Sequence, residues 1–149
     1  MSTAEIGRSF VEKELIRLGA AVHIEKRGNM FRFHSSNPNE TRNVEIRVKT
    51  KTGNGNWHSD IKEGRSIDPI PDLVKETAFW IFVDLNNYAV APNYFVVPDS
   101  WMRNNIDVTH KEYIRKYGGK RKKNDKSTHH SINRERISDW ENRWDLIGL

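Results

Sequence analysis

An α/β fold is predicted, and three observations predict it. An apolar stripe at helical spacing opens the chain, a strictly alternating strand crosses residues 43–51, and the two most apolar short runs follow at 79–84 and 94–97. The order therefore begins helix, strand, strand, strand, and continues with two more strands and C-terminal helices. At 149 residues it fits one domain spanning 1–149, large enough to hold a core without metal or disulfide staples.

Ile6, Phe10, Val11, Leu15 and Leu18 recur at helical spacing, predicting a helix from Thr3 to Leu18 with Ser2 or Thr3 as N-cap and Gly19 as its stop. Ala20 to Glu25 and Met30 to His34 read as short strands; in the second, Phe31 and Phe33 face away from Met30, Arg32 and His34. Ser35 to Arg42, rich in Ser, Asn and Pro, is a turn. In the strand Val44 to Lys51, Val44, Ile46 and Val48 share one face and Glu45, Arg47 and Lys49 the other.

Thr52 to Pro71 contains Gly53-Asn54-Gly55-Asn56 and two prolines around Ile70, which predicts an irregular, mobile loop with Trp57 as its large anchor. Phe79 to Asp84 and Tyr94 to Val97 read as neighbouring central strands joined by a polar turn at Asn86-Asn87. Pro98 starts a helix through about Asn105, and Val108 to Tyr117 reads as a second. A last short helix covers Ser138 to Trp144, with Trp140 and Trp144 clamping it to the sheet.

Composition narrows the function classes. Cysteine is absent, which excludes disulfides and thiolate metal sites, and the N-terminus has neither a basic nor an apolar leader region. The longest apolar run, Ala78 to Val83, is much too short to cross a bilayer. A soluble, cytoplasmic protein with no membrane partner is expected. Twenty-five Lys and Arg against 20 Asp and Glu give a formal charge of +5, a balance that favours polyanionic partners.

The basic residues are concentrated. Between Lys111 and Lys126 lie Lys111, Arg115, Lys116, Lys120, Arg121, Lys122, Lys123 and Lys126, with Tyr113 and Tyr117 interleaved and Gly118-Gly119 between them. This has the composition of a loop that grips a nucleic-acid backbone; a solvated linker is the alternative. His129-His130 on an extended segment point to opposite sides and find no third metal ligand, and His34 shares a strand face with Arg32. His58-Ser59-Asp60 has acid/base chemistry but lacks a nucleophile or second carboxylate at a defined spacing, and reads as loop.

Several features together resemble one family of small bacterial proteins. They are the helix beginning Ile6-Gly7, Asn37-Pro38, Val48-Lys49-Thr50, Trp57, Phe82-Val83-Asp84, Tyr94 to Pro98, Gly118-Gly119-Lys120 and the closing Trp144 to Gly148, spread over nearly the whole chain. The likeness is to the PD-(D/E)xK nucleases, and it implies a restriction-endonuclease-like fold: a mixed central β-sheet flanked by helices. It also implies where metal-holding acids would stand. Carried over, those positions are Arg8, Arg32 and Arg47 in this chain, and Lys49 is the surviving motif lysine.

Magnesium-dependent cleavage requires hard oxygen ligands converging on the ion, and a guanidinium cannot supply them. Arginine stays protonated and its planar fork suits phosphate oxygens. The expectation is a catalytically inactive nuclease-like protein, without cofactor, that binds a phosphate-bearing ligand, DNA or RNA, through Arg8, Arg32, Arg47 and Lys49 together with Lys120, Arg121, Lys122 and Lys123. Four clustered cations repel, so water or an anion (phosphate, sulfate or a carboxylate) must screen them. The alternative for the arginines is a structural network with Glu45, Glu12 or Asp84. Two further functions stay open: an active Mg²⁺-dependent endonuclease using Glu45 with Asp60 or Glu5, and a regulatory protein-interaction module. A homodimer is also left open.

Overall fold

The computed structural model describes residues 1–86, 91–118 and 127–149. The chain runs through a helix α1 (Thr3–Arg17), strands β1 (Ala21–Arg27), β2 (Met30–Ser36), β3 (Asn43–Lys51) and β4 (Trp57–Asp60), then β5 (Ala78–Asp84) and β6 (Asn93–Pro98), helix α2 (Asp99–Lys116) and β7 (His129–Ile132). Five strands form a mixed sheet in the order β1-β2-β3-β5-β6, antiparallel throughout except for the parallel β3–β5 pair. β4 and β7 make a separate antiparallel ribbon. No described helix is long and apolar enough to cross a membrane.

Period-two alternation gives each face of the sheet its own core. Phe79, Ile81 and Val83 of β5 join Phe33, Val44, Ile46 and Val96 beneath Val11 and Leu15 of α1, and Trp144, Leu146 and Ile147 close that layer. Trp80 and Phe82 point the other way, into a second cluster with Phe95, Val97, Met102, Ile106, Trp57, Ile132 and Ile137. Burial on both faces explains why β5 reads as a continuous apolar run instead of an alternating one.

α1 starts where Ser2 Oγ accepts the backbone N–H of Glu5, and it stops at Gly19, whose φ of 98° is left-handed. The turn after β2 is tied to the end of the chain. Arg42 donates from Nε and Nη2 to the carbonyl of Leu146, and from its other N–H groups to Val74 and Glu76 carbonyls. Three carbonyls from two separate segments thus hang on one guanidinium.

Four expectations are corrected. The excursion after β3 is not wholly irregular: Trp57 to Asp60 pairs with His129 to Ile132, and Trp57 Nε1 donates to the Val83 carbonyl at 3.0 Å in the buried interior. Its partner strand lies more than 60 residues away, so no local signal announces it. β6 neighbours β5 but is the last strand of the sheet, not a central one. Its outer edge is covered by Glu141 bridging to Phe95 and by Asn142 N–H donating to the Tyr94 carbonyl, so it is as buried as a central strand.

α2 is one continuous helix, because nothing at Ile106-Asp107 breaks the 3.6-residue period and Met102 and Ile106 belong to one buried stripe. The expected short helix at 138–144 is instead two 3-10 segments, Arg134–Trp140 and Trp144–Ile147. Trp140 packs edge-on against Trp101, and Trp144 against Tyr94, so the two indoles anchor different layers. Asn87 of the expected polar turn lies outside the described residues, as do Lys120, Arg121, Lys122, Lys123 and Lys126.

Candidate functional site

The ladder between β2 and β3 runs from Ser36–Asn43 to Phe33–Ile46 and stops there, while β1 and β2 stay paired to Arg27–Met30. Beyond Ile46 the two strands part. Met30 to Arg32 and Arg47 to Lys49 then flank an opening of about 250 Å³, with Arg8 of α1 on one side and Glu63 on the other. Arg8, Arg32, Arg47 and Lys49, singled out in the sequence, therefore line one cavity although they come from three elements.

Packing places each of them. Gly7 lies directly against Thr50, which lets α1 settle on β3 and delivers Arg8 to the fork. The Arg8 guanidinium carbon sits 3.9 Å from the centroid of the Phe31 ring. Arg47 and Lys49 alternate away from the α1 face of β3 and lie over the indole of Trp80, at 4.5 and 5.9 Å from its ring. The backbone contributes too. Glu45 N–H bonds to the Thr77 carbonyl on the β5 side, so alternation turns the N–H and C=O of Val48 toward the opening, where Val48 is part of the wall.

The charges divide into neutralised and uncompensated groups. Arg32 lies 3.5 Å from Glu45 and also donates to the Phe31 carbonyl at 2.9 Å. Arg47 lies 3.2 Å from Glu63 Oε2. That same oxygen accepts from Arg103 Nη1 at 3.0 Å, and Arg103 in turn bonds both oxygens of Asp99, one turn earlier on α2. Arg8 and Lys49 have no carboxylate within 4.0 Å among the described residues. Five cations thus face three carboxylates.

Shifted ionisation reflects this balance. Burial pulls the Lys49 ammonium below its usual range, and Arg47 and then Arg32 push it further down against the weaker pull of Glu63 and Asp60. The Arg32 guanidinium is lowered by burial first and by Arg47 next. Glu63 runs the other way. Burial alone would raise its carboxyl, but Arg47 and Arg103 outweigh that and hold it below the usual carboxylate range.

Of the carboxylates considered for structural pairing, Glu45 pairs with Arg32 and Arg27, while Asp84 pairs with Lys51 and Arg134, outside the cleft. The partners missed in the sequence are Glu63 and Arg103. Glu63 sits in a 3-10 turn within the excursion, where nothing local fixes its position; Asp99 and Arg103, four apart at the start of α2, carried the one readable signal. A second opening of about 110 Å³ shares Arg32 and Arg47 with the first and adds Asp99 and Arg103, so the cleft continues toward α2.

The acids considered for metal chemistry are engaged elsewhere. Asp60 accepts from Lys62 N–H at 2.8 Å and Thr128 Oγ1 at 2.9 Å, and Glu5 accepts from Ser2 Oγ in the first turn of α1. No group of three or more His, Asp or Glu able to hold a metal ion occurs among the described residues. His34 is bonded to Glu25 at 2.9 Å, and the His58 and His129 rings lie 4.5 Å apart on the β4–β7 ribbon.

No family model, curated protein or solved structure matches this chain.

Proposed function

We propose that this protein is a nuclease-like, non-cleaving binder of DNA or RNA, working in the cytoplasm without a metal cofactor, and that the fork between β2 and β3 is where it holds phosphate. One observation carries the reading: four basic side chains from α1, β2 and β3 line a single cavity that contains one carboxylate, Glu63. Two of the four, Arg8 and Lys49, have no acidic partner among the described residues, so part of the charge is available to a ligand.

The basic run Lys120, Arg121, Lys122 and Lys123 joins this reading on its sequence alone, as added attraction for a polyanion. A restriction-endonuclease-like architecture belongs to the same proposal. Supporting it are the mixed sheet, the parallel β3–β5 pair and α1 lying across β3 with Lys49 at its fork.

Glu63 supplies the anion that such a cluster requires. Held by Arg47 and Arg103, its carboxylate stands in for a phosphate and keeps the arginines ordered. The test is fluorescence anisotropy of a labelled oligonucleotide at low salt with Arg8→Ala and Lys49→Ala. Each should weaken binding by about 1 to 3 kcal/mol, the cost of a lost charge-assisted contact, and flatten the salt dependence by about one phosphate. Unchanged affinity in both variants rules the phosphate cleft out.

A further inference from the structure

Thr109, His110 and Tyr113 stand where a helix packed on a core would carry aliphatic side chains. They continue, one to three turns on, the α2 stripe that begins with Met102 and Ile106, yet they are polar or aromatic and face a cavity of about 240 Å³. His129, His130 and Ser131 form its opposite wall. The cavity thus lies between α2 and β7, apart from the arginine cleft.

Among the described residues only β4 pairs with β7, and the other edge of β7 faces this cavity. The Ile61 N–H bonds to the Thr128 carbonyl, so the backbone groups of Thr128, His130 and Ile132 turn toward β4, and those of His129 and Ser131 turn away. Two contacts agree with that assignment. Arg136, bonded to Asn105 of α2, donates to the Ser131 carbonyl at 2.8 Å, and the His129 N–H donates to Ser127 Oγ at 3.2 Å. Between these occupied groups lie the His129 carbonyl and the Ser131 N–H, an acceptor and a donor side by side along the edge.

We propose that this cavity receives one unpaired nucleobase of a single-stranded nucleic acid. Every base carries neighbouring donor and acceptor atoms on its Watson–Crick edge, which match the His129 carbonyl and Ser131 N–H, while His110 and Tyr113, the latter meeting the Tyr117 ring at 4.9 Å, put aromatic rings in the wall against which the base can pack. In a duplex that edge is occupied by the complementary base, so the ligand must be single-stranded or locally opened. Among the described residues its wall is mostly apolar surface and carries no carboxylate or ammonium, which suits an uncharged heterocycle better than a phosphate.

The two sites are within reach of one strand. Arg103, on the cleft, and His110, on the cavity, are seven residues apart on α2, about 10 Å along its axis. On the ribbon, Asp60 pairs with His129, and Glu63 follows three residues later. The proposal rests on the phosphate-cleft reading for the backbone of the strand, but not for the base.

The experiment compares the full chain binding to a short single-stranded oligonucleotide, an abasic strand of equal length and the matching duplex. The intact strand should bind roughly 10-fold tighter than the abasic one. Tyr113→Ala and Ser131→Pro, which removes the outward N–H together with the hydroxyl, should erase that ratio while leaving abasic affinity unchanged; Ser131→Ala, which removes the hydroxyl and keeps the N–H, should preserve it.

Equal binding of intact and abasic strands overturns the base pocket and leaves the phosphate cleft standing. Tighter binding of the duplex overturns it too. If no strand binds, the phosphate reading has failed, and adenosine titrated into the protein by NMR decides the pocket alone. Shifts confined to Thr109, His110, Tyr113 and residues 129–131 support it, and their absence overturns it.

Discussion

Gly7 of α1 rests on the side chain of Thr50 in β3 so closely that a methyl group at position 7 would occupy the space of the threonine. The contact sets the height of α1 above the sheet, and with it the position of the next residue, Arg8.

Gly7→Ala should therefore do two things at once. Overpacking of a filled contact costs about 1 to 3 kcal/mol, readable as a lower urea midpoint with an unchanged slope. Any helix that does dock will stand farther from β3, so oligonucleotide affinity should fall by more than the folded fraction does. A variant as stable as the wild type would mean that α1 does not pack where Gly7 and Thr50 place it.

Arg8 and Arg32 should separate binding from stability. Arg8→Ala loses only its position over Phe31, about 0.5 to 1 kcal/mol at a partly exposed site. Arg32 is only 12% exposed and bonded to Glu45 and to the Phe31 carbonyl, so Arg32→Ala should lose about 1.5 to 3 kcal/mol of stability. Thermal melts of the two variants in one buffer check the order. Equal losses would show that Arg8 has a structural partner after all.

Glu63→Gln should strengthen binding of a phosphate ligand, since it frees Arg47 and Arg103 from their internal anion. The salt dependence should steepen. Stability should show the opposite sign, falling by about 1 to 2 kcal/mol for the lost charge-assisted bonds at a partly exposed position. The folded carboxyl sits below its unfolded value, so this contribution is complete above the ordinary carboxylate range and fades as pH falls through the lower, folded value. The wild-type advantage over Glu63→Gln should accordingly shrink as pH falls below the ordinary carboxylate value of about 4.5.

Tyr94 offers an alkaline counterpart. Burial first, and Glu14 next, push its phenol up to about 12. The part of an ultraviolet titration that Tyr94→Phe removes should lie near pH 12, above the ordinary phenol value. A raised folded value means that its contribution to stability is intact below about pH 10, the unfolded value, and is lost as pH climbs toward 12. Tyr94→Phe should remove that alkaline decline. A Tyr94 that titrates near the ordinary phenol value of 10 would place the phenol in water and not beneath α1.

What could be read in the sequence follows the range of the signals. α1, β2, β3, β5 and β6 are marked by periodicity and by Gly19, all within a few residues of the elements they define. Arg8, Arg32, Arg47 and Lys49 were singled out by the resemblance to the PD-(D/E)xK nucleases, and all four line one cavity. Arg103 and Glu63 did not follow, because the excursion that carries Glu63 is positioned by a ribbon with β7, and that pairing spans about half the chain. The same distance concealed β4. The continuity of α2 was legible but misread, since Asn104, Asn105 and Asp107 are polar but none of them is a breaker, and Ile106 keeps the apolar stripe.

The guanidinium of Arg42 bears on how the chain acquires its shape. Its bonds reach 32 to 34 residues ahead to Val74 and Glu76, and 104 ahead to Leu146. Contacts of such separation are entropically expensive to close, and they slow folding relative to helices and hairpins. During synthesis the β1–β2–β3 meander can pair early, but the anchor at its last turn stays unfilled until Leu146 has left the ribosome. The β2–β3 turn should thus be the last part of the meander to become protected from hydrogen exchange, and the first to open when the C-terminal segment detaches.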